Sequence, residues 1–269
     1  MEARAKFEKV TFGKRLRRML HVDLRRMFTM PLIYIMVGAC LAMPILILVM
    51  TTMMDGSVTV DPQTGVETVI EGFDSTWQII GAVSGGSSAM GMSMTAMCNI
   101  NLLYFFAAVL VCLFVAEDFR SGYAKNLFTV RAKKADYVVS KTVVCLIGSE
   151  LMLLAFFAGS MLGGAIAGLP FEMTGFHAGN VAMCLLAKVL LMAVFVPLYL
   201  LWSVIARQKL WLSLVGSMGS SMLLFMMIPM LTPLDSTVVN VIGCLLGGAL
   251  FSAGLGAVSS RVLAGRDLL

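Results

Sequence analysis

The chain has 269 residues, 59% of them apolar and only 13% charged, and its formal net charge is +5. A soluble domain carries about 25% charged residues, and a water-soluble fold of this length cannot hide so much apolar surface. The composition therefore excludes an ordinary globular protein and makes lipid the solvent.

Residues 1–30 hold nine Lys and Arg. Within them, Phe12 to Phe28 reads "FGKRLRRMLHVDLRRMF", with apolar residues at 12, 16, 19, 20, 24, 27 and 28. That spacing predicts a helix with Lys14, Arg15, Arg18, Arg25 and Arg26 mostly on the other face. Such a helix is expected in the membrane surface, basic face toward anionic lipid heads. Asp23 interrupts its apolar side, with Arg26 as a candidate partner. Because a mostly polar stretch precedes the first apolar span, the N-terminus is not read as a cleavable signal.

The first span runs from Pro31 to about Met53, with a kink expected at Pro44. The segment 51–99 has no Lys or Arg but carries Asp55, Asp61, Glu67, Glu71 and Asp74. Inside it, "SVTVDPQTGVETVI" alternates on both sides of a Pro/Gly turn and predicts a β-hairpin. An isolated hairpin is marginal, so it should rest on other structure. The following "WQIIGAVSGGSSAMGMSMTAM" is apolar but rich in Gly and Ser; a short surface helix and a re-entrant segment both fit it. The acidity of 51–99 suits either a merely soluble loop or a surface that attracts cations.

Span two covers about Asn99 to Ala116. It leads into "EDFRSGYAKNLFTVRAKKADYVVSK", Glu117 to Lys141, which holds six Lys and Arg. Spans three to six follow at about Thr142–Gly168, Asn180–Ala206, Leu210–Leu231 and Thr237–Ser260. The Lys/Arg-bearing connections, including Arg207/Lys209 and the Arg261/Arg266 tail, should face the cytoplasm. The segments 51–99, 169–179 and 232–236 contain no Lys or Arg and should face out. This bias accounts for the net positive charge better than nucleic-acid binding does.

The six cysteines show no CxxC spacing. Cys40, Cys112, Cys145, Cys184 and Cys244 each sit inside a separate apolar run and read as small buried thiols. Cys98 lies nearer the outer face. There is no GxxxxGK[ST], so the chain does not bind ATP through a P-loop. There is no HExxH, and His21 and His177 fall on opposite sides. No nucleophile–base pair or metal cluster is visible, which argues against an enzyme, a metal site or a resident cofactor.

Two ionisable residues fall within spans, Glu150 in the third and Lys188 in the fourth. Counted along their helices, their depths differ by only about 5 Å. One reading pairs them, because a lone charge in lipid is costly. The other lets Lys188 snorkel outward and Glu150 face water. Gly159/Gly163, Gly164/Gly168 and Gly243/Gly247 are GxxxG pairs that permit close helix approach, within one subunit or across a dimer.

The stretch Glu117–Asp118, then Gly122, then the basic "RAKKADY" run ending in Lys141, resembles the membrane permeases of type-2 ABC exporters. The likeness extends to the basic N-terminal helix, six spans, a larger first outer loop and the short charged tail "RVLAGRDLL". The sequence departs from that pattern in having "RAKKAD" where a tighter turn is common, which bears on Arg131. The resemblance implies an all-α polytopic fold forming a single permease domain over 1–269. In it, 1–30 is a connecting helix, 51–99 an extracellular loop with a small hairpin, and 117–141 a cytoplasmic coupling loop.

The resemblance further implies that Glu117, Asp118, Gly122, Tyr123, Lys125, Asn126, Leu127, Phe128 and Arg131 couple the chain to an ATPase. ATP and Mg would bind on two copies of that partner. A second permease chain, identical or paralogous, and membrane lipid would complete the assembly. The expected setting is the bacterial cytoplasmic (inner) membrane, with both termini cytoplasmic. The implied activity is export of a hydrophobic or amphipathic peptide, antibiotic or lipid-like compound, including drug or antimicrobial-peptide resistance. A non-transporting sensor or assembly module and an ion-coupled secondary transporter are the alternatives.

Overall fold

The computed structural model describes residues 11–60, 67–69, 72–83, 98–129 and 133–265. Helix α1 (Phe12–Thr29) buries Met19, Asp23 and Met27, one face at four-residue spacing. That face lies on a later helix, not on open lipid. Met30 is extended, its N–H donating to the carbonyl of Arg26 at 3.1 Å, and Pro31 opens α2 (Pro31–Met54). Proline suits a first helical position, where its missing N–H costs no bond. Pro44 lies buried inside α2.

Two three-residue strands, β1 (Val58–Val60) and β2 (Glu67–Val69), pair antiparallel with Val58 opposite Val69. The turn between them lies outside the described residues. So does most of the Gly/Ser-rich stretch that follows; its start is a single 3-10 turn at Thr76–Ile79.

Helix α3 (Leu103–Arg120) is the innermost element, with 67% of its apolar stretch buried, against 11% for the last helix, α9 (Val238–Ala264). Gly122, at φ 73°, then turns the chain into the short α4 (Tyr123–Thr129). The left-handed backbone, not lack of room, requires glycine here, since nothing lies within 4 Å of where a Cβ would stand. Helix α5 (Lys134–Ala167) has 34 residues. At 1.5 Å per residue it is about 51 Å long, well beyond a hydrocarbon core of about 30 Å, so part of it must project.

Helix α6 (Ala178–Ala206) is followed by α7 (Leu210–Phe225) and α8 (Met227–Leu231). The sequence predicts one span over Leu210–Leu231, whereas the chain breaks it at Met226. Pro229 explains the break, because its ring crowds the carbonyl four residues back, that of Phe225. Among the described residues, five helices are long and apolar enough to cross a membrane, while α7 is a shorter apolar helix.

The helices α2, α5, α6 and α9 pack in that order, with α3 behind α5 and α6, α7 against α3 and α6, and α1 across α5. A Cβ on Gly163 would stand 2.8 Å from Ile45 Cα, and one on Gly159 would stand 2.8 Å from Pro44 Cγ. These two glycines therefore set the α2–α5 approach within one chain. Gly168 instead ends α5 in a left-handed conformation, and Gly243 and Gly247 face open space.

The connections sort into two poles. At one, Trp77 Nε1 donates to the Phe171 carbonyl at 3.0 Å, Thr76 N to that of Pro170 at 3.2 Å, and Leu234 N to that of Ala82 at 2.9 Å. The three connections without Lys or Arg thus meet. The opposite pole gathers α1, α4, the start of α5, the α6–α7 turn and the end of α9, where Lys134 Nζ donates to the Leu263 carbonyl at 2.7 Å.

Candidate functional site

At the basic pole, four charges from three helices close into one buried cluster. Lys141 Nζ, on α5, lies 2.7 Å from Asp118 Oδ2 on α3 and 2.9 Å from Asp23 Oδ1 on α1. All three side chains are fully buried. Arg26 Nη1 donates to Asp118 Oδ1 at 2.7 Å, Tyr137 Oη to Asp118 Oδ2 at 2.9 Å, and Ser140 Oγ to Asp23 Oδ2 at 2.6 Å. Two carboxylates face two cations, so the cluster is neutral as a whole. Only such pairing makes burial of Asp23, Asp118 and Lys141 tolerable, because each alone would cost several kcal/mol, while Arg26 stays partly exposed.

Helix geometry explains how they meet. Tyr137, Ser140 and Lys141 share one face of α5 at spacings of three and four. Asp23 and Met27 share the buried face of α1, and Asp118 is the last acidic residue before α3 ends. Ring contacts tie α4 to the cluster. The Arg26 guanidinium lies 3.9 Å from the centre of the Tyr123 ring, and Phe128 meets Tyr137 edge-on at 5.4 Å. Burial lowers the Arg26 pKa, but the charge and hydrogen bond of Asp118 outweigh it and leave the pKa raised. Burial, then the Asp23 carboxylate, push the Tyr123 hydroxyl up. A second bridge joins α1 to α5, from Arg15 Nε to Asp136 Oδ2 at 2.9 Å.

The residues expected at the coupling loop divide accordingly. Asp118, Gly122 and Tyr123 belong to or abut the cluster. Leu127 and Phe128 pack half-buried against the core, while Glu117, Lys125 and Asn126 are exposed. Arg131 lies outside the described residues. Asp23 takes Lys141 and Ser140 as partners, not Arg26, and Arg15 and Arg26 turn to carboxylates instead of lipid. Asp23 had signalled itself as the acidic residue on an apolar face, and Lys141 as the last cation of the loop. Tyr137 and Ser140 carried no signal beyond helical register.

The paired reading of Glu150 and Lys188 is not what the chain adopts. Lys188 Nζ donates to Asn101 Oδ1 at 3.0 Å and to Thr232 Oγ1 at 2.9 Å, buried among α3, α6 and the segment after α8. Glu150 is half-buried and joins no ion pair among the described residues. Depth was nearly matched, but azimuth was not. The enclosed face of α5 runs through Cys145, Ser149 and Met152, and Glu150 points about 100° away from Ser149.

A third polar seam holds α7, whose only buried residues among those described are Ser213, Ser217 and Ser221. Ser213 Oγ donates to Cys112 Sγ at 3.0 Å and shares a 2.8 Å hydrogen bond with Ser203 Oγ, and Ser221 Oγ meets Tyr199 Oη at 2.7 Å. Among the described residues no group of His, Cys, Asp and Glu could hold a metal ion.

No family model, curated protein or solved structure matches the chain. Its own architecture defines the class: a predominantly helical protein with several apolar helices, consistent with a multi-pass membrane protein.

Proposed function

We propose that this chain is the membrane-spanning subunit of an ATP-driven exporter of the type-2 ABC kind, powered by a separate ATPase. In this reading α7 and α8 together make a sixth crossing, the β1–β2 pair is an outer hairpin, and both termini and the basic pole lie in the cytoplasm of a bacterial inner membrane. A second permease chain completes the path for a hydrophobic or amphipathic cargo.

One observation carries the reading. Helix α4, lying between two long helices, is fastened through Tyr123 and Phe128 to a buried cluster that joins α1, α3 and α5. A partner that displaces α4 would displace all three helices together, because the neutral cluster resists being pulled apart into single buried charges. Chains without a P-loop need such a lever to receive work from one that has it. Packed interfaces of this kind hold discrete alternative arrangements, as alternating access requires.

The test is co-expression with any P-loop ATPase encoded by a neighbouring gene, followed by substrate-stimulated hydrolysis and vesicle transport. The double variant Tyr123→Leu, Phe128→Leu, which unfastens α4 but leaves the buried charge pairs in place, should still assemble with the ATPase and hydrolyse ATP while export is lost. Full transport by that variant, or absence of any co-purifying ATPase, overturns the proposal.

A further inference from the structure

The basic pole contains a cleft that the buried cluster does not use. It has a volume of about 550 Å³ and runs between the end of α3 and the α6–α7 turn. Arg120, Lys125, Arg207 and Lys209 line it, with Phe119 and Ala206 forming part of its wall, and no carboxylate is among its described lining residues. Arg120, Lys125 and Lys209 enter no ion pair among the described residues. Arg207 adopts φ 53°, a backbone conformation that side chains other than glycine rarely take. This bend brings Arg207 and Lys209 to the same rim.

Arg120, Lys125 and Lys209 around one concavity repel one another, and the low-dielectric wall of Phe119 and Ala206 focuses that field. An anion held between them would relieve that repulsion. Phosphate is the anion that guanidinium and ammonium groups share best, arginine through its fork and lysine as a point charge. The depth is informative too. The apolar helices α3 and α6 stop at Arg120 and Ala206, so the cleft opens where the hydrocarbon-compatible surface ends and headgroups begin.

We infer that this cleft binds a phosphate group of net negative charge, presented by an anionic lipid headgroup or by a soluble phosphate compound. The inference does not depend on the export reading, since it concerns only the lining residues and their depth.

The experiment uses the full chain in mixed micelles. It compares phosphatidylglycerol with phosphatidylcholine of the same acyl chains, and inorganic phosphate as competitor, read by native mass spectrometry and by titration. Phosphatidylglycerol should bind at least about tenfold more tightly than phosphatidylcholine, and Arg120→Gln with Lys209→Gln should abolish that preference. Displacement by inorganic phosphate assigns the cleft to soluble phosphate compounds; retention of the lipid in its presence assigns it to the headgroup. The charge-preserving pair Arg120→Lys, Lys209→Arg should bind as the parent does, which separates binding from folding. Lys209→Gln alone, on an exposed turn, gives an intermediate loss. Equal binding of the two lipids together with no phosphate binding overturns the inference. So does an equal loss in Arg17→Gln with Arg18→Gln, two exposed cations of α1 outside the cleft.

Discussion

Lys141 and Asp118 approach to 2.7 Å with both side chains wholly buried, joining the start of α5 to the end of α3. Neither residue has water to fall back on if the other is removed. Asp118→Ala should therefore cost about 3–5 kcal/mol, the range for breaking a buried pair from one side. Denaturation in detergent micelles measures it, and a melting temperature equal to that of the parent would show that the two charges are not held together.

Arg26 and Asp118 should couple in a double-mutant cycle. Arg26→Gln and Asp118→Asn, made singly and together, should show an interaction of about 1–3 kcal/mol. Additive losses would mean that α1 is held to α3 by packing alone. The Arg26–Tyr123 stacking adds a second readout, because Tyr123→Leu should weaken the same coupling.

Gly159→Leu should prevent accumulation of folded chain, since the added side chain meets the α2 backbone at Leu41 and the ring of Pro44. Overpacking of this kind costs about 1–3 kcal/mol where neighbours can yield, and backbone yields less than side chains. Gly243→Leu, which faces open space on α9, should leave monomer stability within about 0.5 kcal/mol of the parent. Fluorescence-detected size-exclusion after heating compares the two.

Lys188→Ala should destabilise by about 1–3 kcal/mol by leaving Asn101 and Thr232 without their donor. Combined with Glu150→Gln, the effects should add, with a coupling below about 0.5 kcal/mol. A larger coupling would restore the ion pair that depth alone suggests.

Sidedness is tested with thiols in a Cys98→Ser background, because the other five cysteines are buried. Ser57→Cys should react with an impermeant reagent in intact cells, and Lys125→Cys only after permeabilisation. The reverse pattern would invert the orientation.

Much of this architecture is legible in the amino-acid order, for identifiable reasons. Apolar runs mark the spans because a bilayer tolerates little else. Asp23 marks its own importance by breaking an apolar face. Arg26, its candidate partner, turns to Asp118 instead, since helical periodicity shows which face is enclosed but not that Lys141, far along the chain, stands opposite Asp23. Glu150 and Lys188 show the same limit: counting residues yields depth, while contact also needs rotation about the helix axis. The seam of α7 was hidden for a different reason. Serines at 213, 217 and 221 dilute the apolar signal of the very face that is enclosed. Pro229 lay in plain view but was absorbed into a span that its ring interrupts.

The contact from Lys134 to the last carbonyls of α9 has a consequence for biogenesis. Arg15–Asp136 and Asp23–Lys141 join segments that are both made once translation has passed residue 141. The acceptor carbonyls of Leu263 and Ala264 arrive only with the last turn of α9. Early contacts can thus form while later segments are still on the ribosome, whereas the latch at Lys134 waits for α9. A nascent chain stalled before α9 would carry a closed cluster and an unlatched Lys134, which distinguishes a chain without α9 from one with it at a single side chain.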